Sequence, residues 1–289
     1  MSICILNKDQ DHCLPENIIK KIEIKVLNKN SNSDKKETIE LLAKTKDCKG
    51  ESIQEKELCV LEKIDDSDAK KIILHHFKPI TKSFSKNHWI NNTEIDSIQY
   101  QLSLEYKGYY YSNIHMIDLV MFDPNTSDSM NYKVKCIKDI NFINEIKKQK
   151  NILNYNGDLK NYGIVINTDT SRGQGLHWFS IFIDFQSDPI TIEYFNSSGY
   201  DIKNNKFKNY FDNIADDITK DKDIKNCKWV QVTDIQHQRD DTANCGAYSL
   251  YYIWSRLQGT PYNYFSDHKI LDEDMVEFRK FLFRAKTKK

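Results

Sequence analysis

Two apolar runs, HWFSIFIDF at 177–185 and ITIEYFN at 190–196, are separated only by QSDP. Both are rich in β-branched and aromatic residues, and they read as a strand pair running antiparallel. His177 opens the first run and Asn196 closes the second, so the pairing brings both to one end of a sheet. GIVINTD at 163–169 and KWVQVTDI at 228–235 are further strands, and IHMIDLVMF is a strand or a short buried helix.

Helical patterns interleave with these strands. WINNTEIDSIQYQLSLEY places Ile95, Ile98, Leu102 and Tyr106 at helical spacing, and NKFKNYFDNIADDI is amphipathic. Lys133 to Lys150 is helical in its later part, and Asn244 to Leu257 is a helix. DEDMVEFRKFLFR at 272–284 is a terminal helix, with acids in its first turn and Arg near its end, matching the helix dipole. The order helix, strands, helix, strand, helix predicts an α+β core.

Residues 1–85 differ. They are rich in Lys, Glu and Asp and contain no Trp or Tyr. NIIKKIEIKVL, KKETIELLAKTK and ELCVLEKI recur as helical patterns, and Asp66-Ser67-Asp68 caps a further helix, AKKIILHHF. KNSNSDKKE, Lys29 to Glu37, reads as a solvated loop. The expected organisation is an N-terminal helical arm over 1–85 and a catalytic core over 86–289.

Lys plus Arg and Asp plus Glu each number 42, so the whole chain is no polyanion binder. Nucleic acid is not indicated. Aromatics at 12% fit a globular chain rather than a disordered one. The seven cysteines are odd in number, irregularly spaced and without a CxxC pair, so neither disulfides nor a zinc site is expected, and a reducing compartment fits. No apolar run approaches the roughly 20 residues of a membrane span, and the first residues show no secretory leader.

TANCGAYSLYYIW supplies the first chemical candidate. Cys245 follows Asn244, a favoured N-cap residue, so it lies in the first helical turn. There the helix dipole lowers a thiol pKa and makes thiolate available near neutral pH. Gly246 leaves room for a substrate backbone. A buried core cysteine is the competing reading. His177, at a strand edge beside Trp178, is a base candidate, with Trp178 a candidate pocket wall; a surface histidine is the alternative. Asn196 can hold one ring nitrogen of His177 and aim the other at a thiol, and it also suits a turn. Asp184 and Glu193 are rival orienters. Gln238, or alternatively Gln236, can join the Cys245 N–H as an oxyanion donor.

HW at 177–178, FN at 195–196, Gln238 and NCG at 244–246 together resemble the adenain and Ulp1-like (SUMO protease-like) cysteine peptidases. GIVINTDTSRGQGLHW, ITIEYFNSSG, VTDIQHQR, CGAYSLYYI and DEDMVEFRKFLFR resemble the polyprotein-processing proteases of asfiviruses, and WINNTEID resembles a WLND-type motif of the Ulp1 group. The resemblance implies His177 as general base, Asn196 as its orienter, Cys245 as nucleophile and Gln238 as oxyanion donor. It implies a Gly-Gly slot at Trp89 and Trp178, and no metal or organic cofactor. The implied activity is processing of viral structural polyproteins at Gly-Gly-Xaa sites, in host cytoplasm and virion. The alternatives are a SUMO- or ubiquitin-deconjugating protease, whose partners are ubiquitin-like proteins, and a non-catalytic scaffold.

Overall fold

The computed structural model describes residues 4–5, 11–28, 33–117, 159–202, 205–219 and 226–285. They fall into two compact units, Met1–Ser83 with Lys280–Lys289, and Phe84–Arg279. Residues 280–289, which the sequence assigns to the core, therefore group with the arm. The reason is strand pairing: β1 (Ile80–Thr81) runs parallel to β8 (Arg284–Ala285).

The first unit holds α1 (Glu16–Leu27), α2 (Lys35–Thr45), α3 (Ile53–Ile64) and α4 (Ser67–His76). Side-chain caps set three of the starts. Asp34 accepts from the Glu37 N–H, Ser52 and Glu55 form a reciprocal capping box, and Asp66 accepts from the Ala69 N–H. The helix α2 thus begins inside the stretch read as a loop, because Asp34 supplies its cap. Ile19, Ile22, Leu42, Leu58, Leu61 and Phe77 form the core.

Two disulfides, Cys4–Cys13 and Cys48–Cys59, correct the expectation of none. Their Cα atoms lie 5.2 and 5.9 Å apart, within bridging reach. No sequence motif marks them; Cys4 pairs with Phe77 in an isolated bridge, and Cys59 is the one of the four on a helix.

In the second unit, α5 (Asn92–Glu105) precedes the sheet, which has six strands among the described residues. These are β2 (Tyr109–Tyr111), β3 (His115–Met116), β4 (Asn161–Asn167), β5 (Trp178–Asp184), β6 (Ile190–Phe195) and β7 (Cys227–Val232). The order is β2-β4-β5-β6-β7, with β3 also on β4. The sheet is mixed: β4–β5 and β5–β6 are antiparallel, while β2–β4 and β6–β7 are parallel. IHMIDLVMF is a strand where it is described, at β3, and its end from Asp118 lies outside the described residues, as does Lys133 to Lys150.

The pleat alternates side chains between faces. Phe179, Ile181 and Ile183 of β5 join Ile192 and Tyr194 of β6 against α6 (Asn205–Thr219) through Phe207, Phe211, Ile214 and Ile218. The opposite face carries Trp178, Ser180 and Phe182 and packs on α7 (Cys245–Leu257). There Phe195 stacks on Tyr252 at 4.3 Å. After α7 come α8 (Tyr264–Asp267) and α9 (Asp272–Leu282).

Candidate active site

His177 stands immediately before β5. Its carbonyl accepts the Thr168 N–H at 2.8 Å, which ties it to the end of β4. The register Ser180↔Phe195 carries Asn196 to the same end of the sheet. There His177 Nε2 lies 2.8 Å from Asn196 Oδ1. That oxygen only accepts, so Nε2 carries the proton and Nδ1 is left with a lone pair.

The Asn196 amide has one satisfied orientation. Its Oδ1 also accepts the Ser198 N–H at 3.0 Å, and its Nδ2 donates to Tyr194 Oη at 3.0 Å and to the Tyr200 carbonyl at 3.2 Å. Tyr194 Oη donates to the same Tyr200 carbonyl. Rotating the amide by half a turn would set donor against donor at Ser198 and lose both Nδ2 bonds. The turn after Asn196 closes through a Gly199 N–H to Asn196 carbonyl bond. Gly199 takes φ 70° with backbone of Gln236 3.0 Å from where a Cβ would stand, so a side chain there is excluded.

Cys245 is the first residue of α7 and is 1% exposed. Backbone N–H groups of Trp178 and Gly246 favour its thiolate. Burial nevertheless outweighs these donors and pushes the thiol up to about 11. This corrects the expectation of thiolate near neutral pH: the helix terminus is present, but desolvation exceeds it. Burial also lowers His177, partly offset by its bond to Asn196. Burial thus opposes charge on both groups.

Asn244 occupies the N-cap position of α7 without capping it. Its Nδ2 donates to Asp272 Oδ1 at 2.7 Å, and its Oδ1 accepts from Arg279 Nε at 3.2 Å and Nη2 at 3.1 Å. Arg279 Nη2 also donates to the Ala243 carbonyl at 2.9 Å. Arg279 is 1% exposed, buried under the loop that leads into Cys245, and its charge favours the Cys245 thiolate. Sequence patterning missed Arg279, Asp272 and Tyr194, because tertiary packing alone brings them to the site.

Gln238 is buried. Ser197 Oγ donates to its Oε1 at 3.0 Å and its Nε2 donates to the Thr242 carbonyl at 2.7 Å, which leaves a second amide hydrogen for a ligand oxygen. Gln236 is exposed and donates instead to Asp240 Oδ1 and the Gln238 carbonyl.

Trp178 is buried, with its Nε1 donating to the Ile90 carbonyl at 3.1 Å. Trp89, next to Ile90 in the chain, is 43% exposed. A Cβ on Gly246 would meet Ile90 at 3.1 Å and the Trp178 ring at 3.3 Å. The room that glycine leaves is thus occupied by protein, not by a ligand backbone. The rival orienters are committed elsewhere. Glu193 accepts from Tyr252, Thr191 and Arg256, and Asp184 from Arg256. Among the described residues no group of three His, Cys, Asp or Glu side chains is placed to hold a metal ion.

The model of the Ulp1 protease family, C-terminal catalytic domain, matches residues 88–288. A curated relative, a SUMO-1 cysteine protease of African swine fever virus, is 42% identical over 123 residues, 43% of this chain and 44% of that protein. The match thus spans under half the length of that relative. A crystal structure of the African swine fever virus protease superposes with TM-score 0.67 and 26% identity, covering 99% of this chain and 96% of that one. The selenomethionine crystal structure of the same protease gives TM-score 0.66 at 26% identity, covering 98% of this chain and 96% of that one. With the family match covering most of its length, the chain belongs to the Ulp1 protease family.

Proposed function

We propose that this chain is a cysteine endopeptidase that processes viral structural polyproteins at Gly-Gly-Xaa sites. The observation that carries the reading is the His177–Asn196 pair, fixed in one tautomer by the amide, together with Cys245 as the first residue of α7. As Cys245 attacks the scissile carbonyl, its proton passes to His177 Nδ1 and the C–S bond forms. The Cys245 N–H and the second amide hydrogen of Gln238 stabilise the oxyanion, each donor giving about 10²–10³ in rate. His177 then protonates the leaving amine as the C–N bond breaks. It next takes a proton from the water that hydrolyses the thioester.

Trp89 and Trp178, tied through Ile90, form the side from which a Gly-Gly segment enters. Similarity to virus proteases supports a setting in host cytoplasm and virion. That relative's being a SUMO-1 cysteine protease also favours a second reading, release of SUMO or ubiquitin. The test compares wild type with Cys245→Ala on a Gly-Gly-Xaa junction peptide, a SUMO fusion and a ubiquitin fusion. Peptide cleavage by wild type alone supports polyprotein processing. Preference for a fusion supports the second reading, and equal cleavage by Cys245→Ala overturns both.

A further inference from the structure

A cavity of about 490 Å³ opens beside the His177–Asn196 pair. It is lined by His177 and Asn196 together with Phe179, Tyr194, Ile202 and Phe207. Tightly packed interiors seldom keep voids larger than a water molecule, whereas ligand sites are apolar cavities of this size. The walls are otherwise well packed, with Phe179 meeting Tyr194 at 5.1 Å and Phe207 at 5.5 Å between ring centroids.

Polar groups lining the cavity are already used. His177 Nε2 and the Asn196 amide bond each other and their neighbours, Ser198 Oγ lies 3.3 Å from His177 Nε2, and Asp201 accepts from Thr233. An entering group gains little by being polar, and the Asp201 carboxylate opposes an acidic one. Tyr200, which lines the cavity, is 64% exposed.

Strand alternation decides which part of a substrate reaches it. Trp178 faces α7 and the nucleophile, while Phe179 faces α6 and the cavity. A general acid must stand at the leaving nitrogen, so the space beyond His177, away from Trp178, belongs to residues following the cut bond. Resting on the endopeptidase reading above, we propose that this cavity is a leaving-group-side subsite for a large aliphatic or aromatic side chain. That side chain belongs to the first or second residue after the cut.

The test is kcat/KM for wild type on Gly-Gly junction peptides that carry Phe, Leu, Ala or Asp at each of those two positions. Phe or Leu is expected to exceed Ala by about 10–100-fold at one position, with Asp slowest. Ile202→Trp, which fills the cavity, is expected to bring Phe and Ala peptides to within a few-fold. Equal rates for all wild-type peptides overturn the subsite while leaving the endopeptidase reading intact. Cleavage of none overturns the endopeptidase reading and the subsite with it.

Discussion

The β5–β6 strand pair carries two polar clusters of opposite character. On the α7 face, Glu193 is fully buried and accepts from Arg256 Nε at 2.7 Å and Nη2 at 2.8 Å, with Tyr252 Oη at 2.7 Å. At the end of the same strands, His177 meets an amide rather than a carboxylate. A buried carboxylate is tolerable because a guanidinium answers it. Such a locked ion pair cannot exchange protons with a substrate. The neutral His–Asn pair leaves one ring nitrogen free to do so, and it keeps the imidazole from being held charged. Charge anchors the sheet, and neutrality keeps the base available.

The largest effect should come from breaking the charged cluster. Arg256→Met leaves Glu193 buried and unpaired, with an expected loss of about 3–5 kcal/mol in denaturant unfolding. Adding Glu193→Leu should recover most of that loss. If Arg256→Met is as stable as wild type, the cluster is no anchor.

Asn196→Ala acts on the neutral cluster instead. It should lower kcat about 10²-fold, or about 2.7 kcal/mol of barrier, with a far smaller stability loss than Arg256→Met. A kcat within a few-fold of wild type would show that Asn196 does not orient the base.

Asn196→Asp imports the carboxylate of the other cluster. In wild type burial holds His177 below the ordinary histidine range, so the acid limb of kcat/KM should fall below about pH 6.5. An adjacent negative charge favours imidazolium, so this variant should move that limb to higher pH. An unmoved limb would mean that the titrating group is not His177.

Tyr194→Phe is the mildest probe. It removes one acceptor from Asn196 Nδ2 but leaves the Tyr200 carbonyl. The expected cost is about 1 kcal/mol, a several-fold fall in kcat at unchanged KM. An unchanged kcat would show that the Tyr194 hydroxyl does not position Asn196.

The contrast between the clusters also marks what the sequence can reveal. The α+β order and the meeting of His177 with Asn196 are legible, because alternation and a short connection determine the pairing. The helix starting at Cys245 is legible from apolar spacing. The thiol's protonation state is not, since burial depends on how α7 packs against β5. Arg279 escapes the sequence reading because a helical pattern does not say which face is covered by a loop. Gly246 resembles an opening because its neighbours in space, Ile90 and Trp178, are remote in sequence. Cys4–Cys13 and Cys48–Cys59 pair across short separations, yet they fit no motif that marks a disulfide in sequence.

The central claim is that Cys245, and no other cysteine, reacts under the control of His177. Among the described residues Cys227 is the other free cysteine, and burial raises its thiol as well, to about 11. The most direct measurement is labelling with a peptide electrophile ending in Gly-Gly, with the adduct located by mass spectrometry. The account predicts one adduct, on Cys245, that is lost in His177→Ala. An adduct on Cys227, or equal labelling of Cys245 without His177, would contradict it.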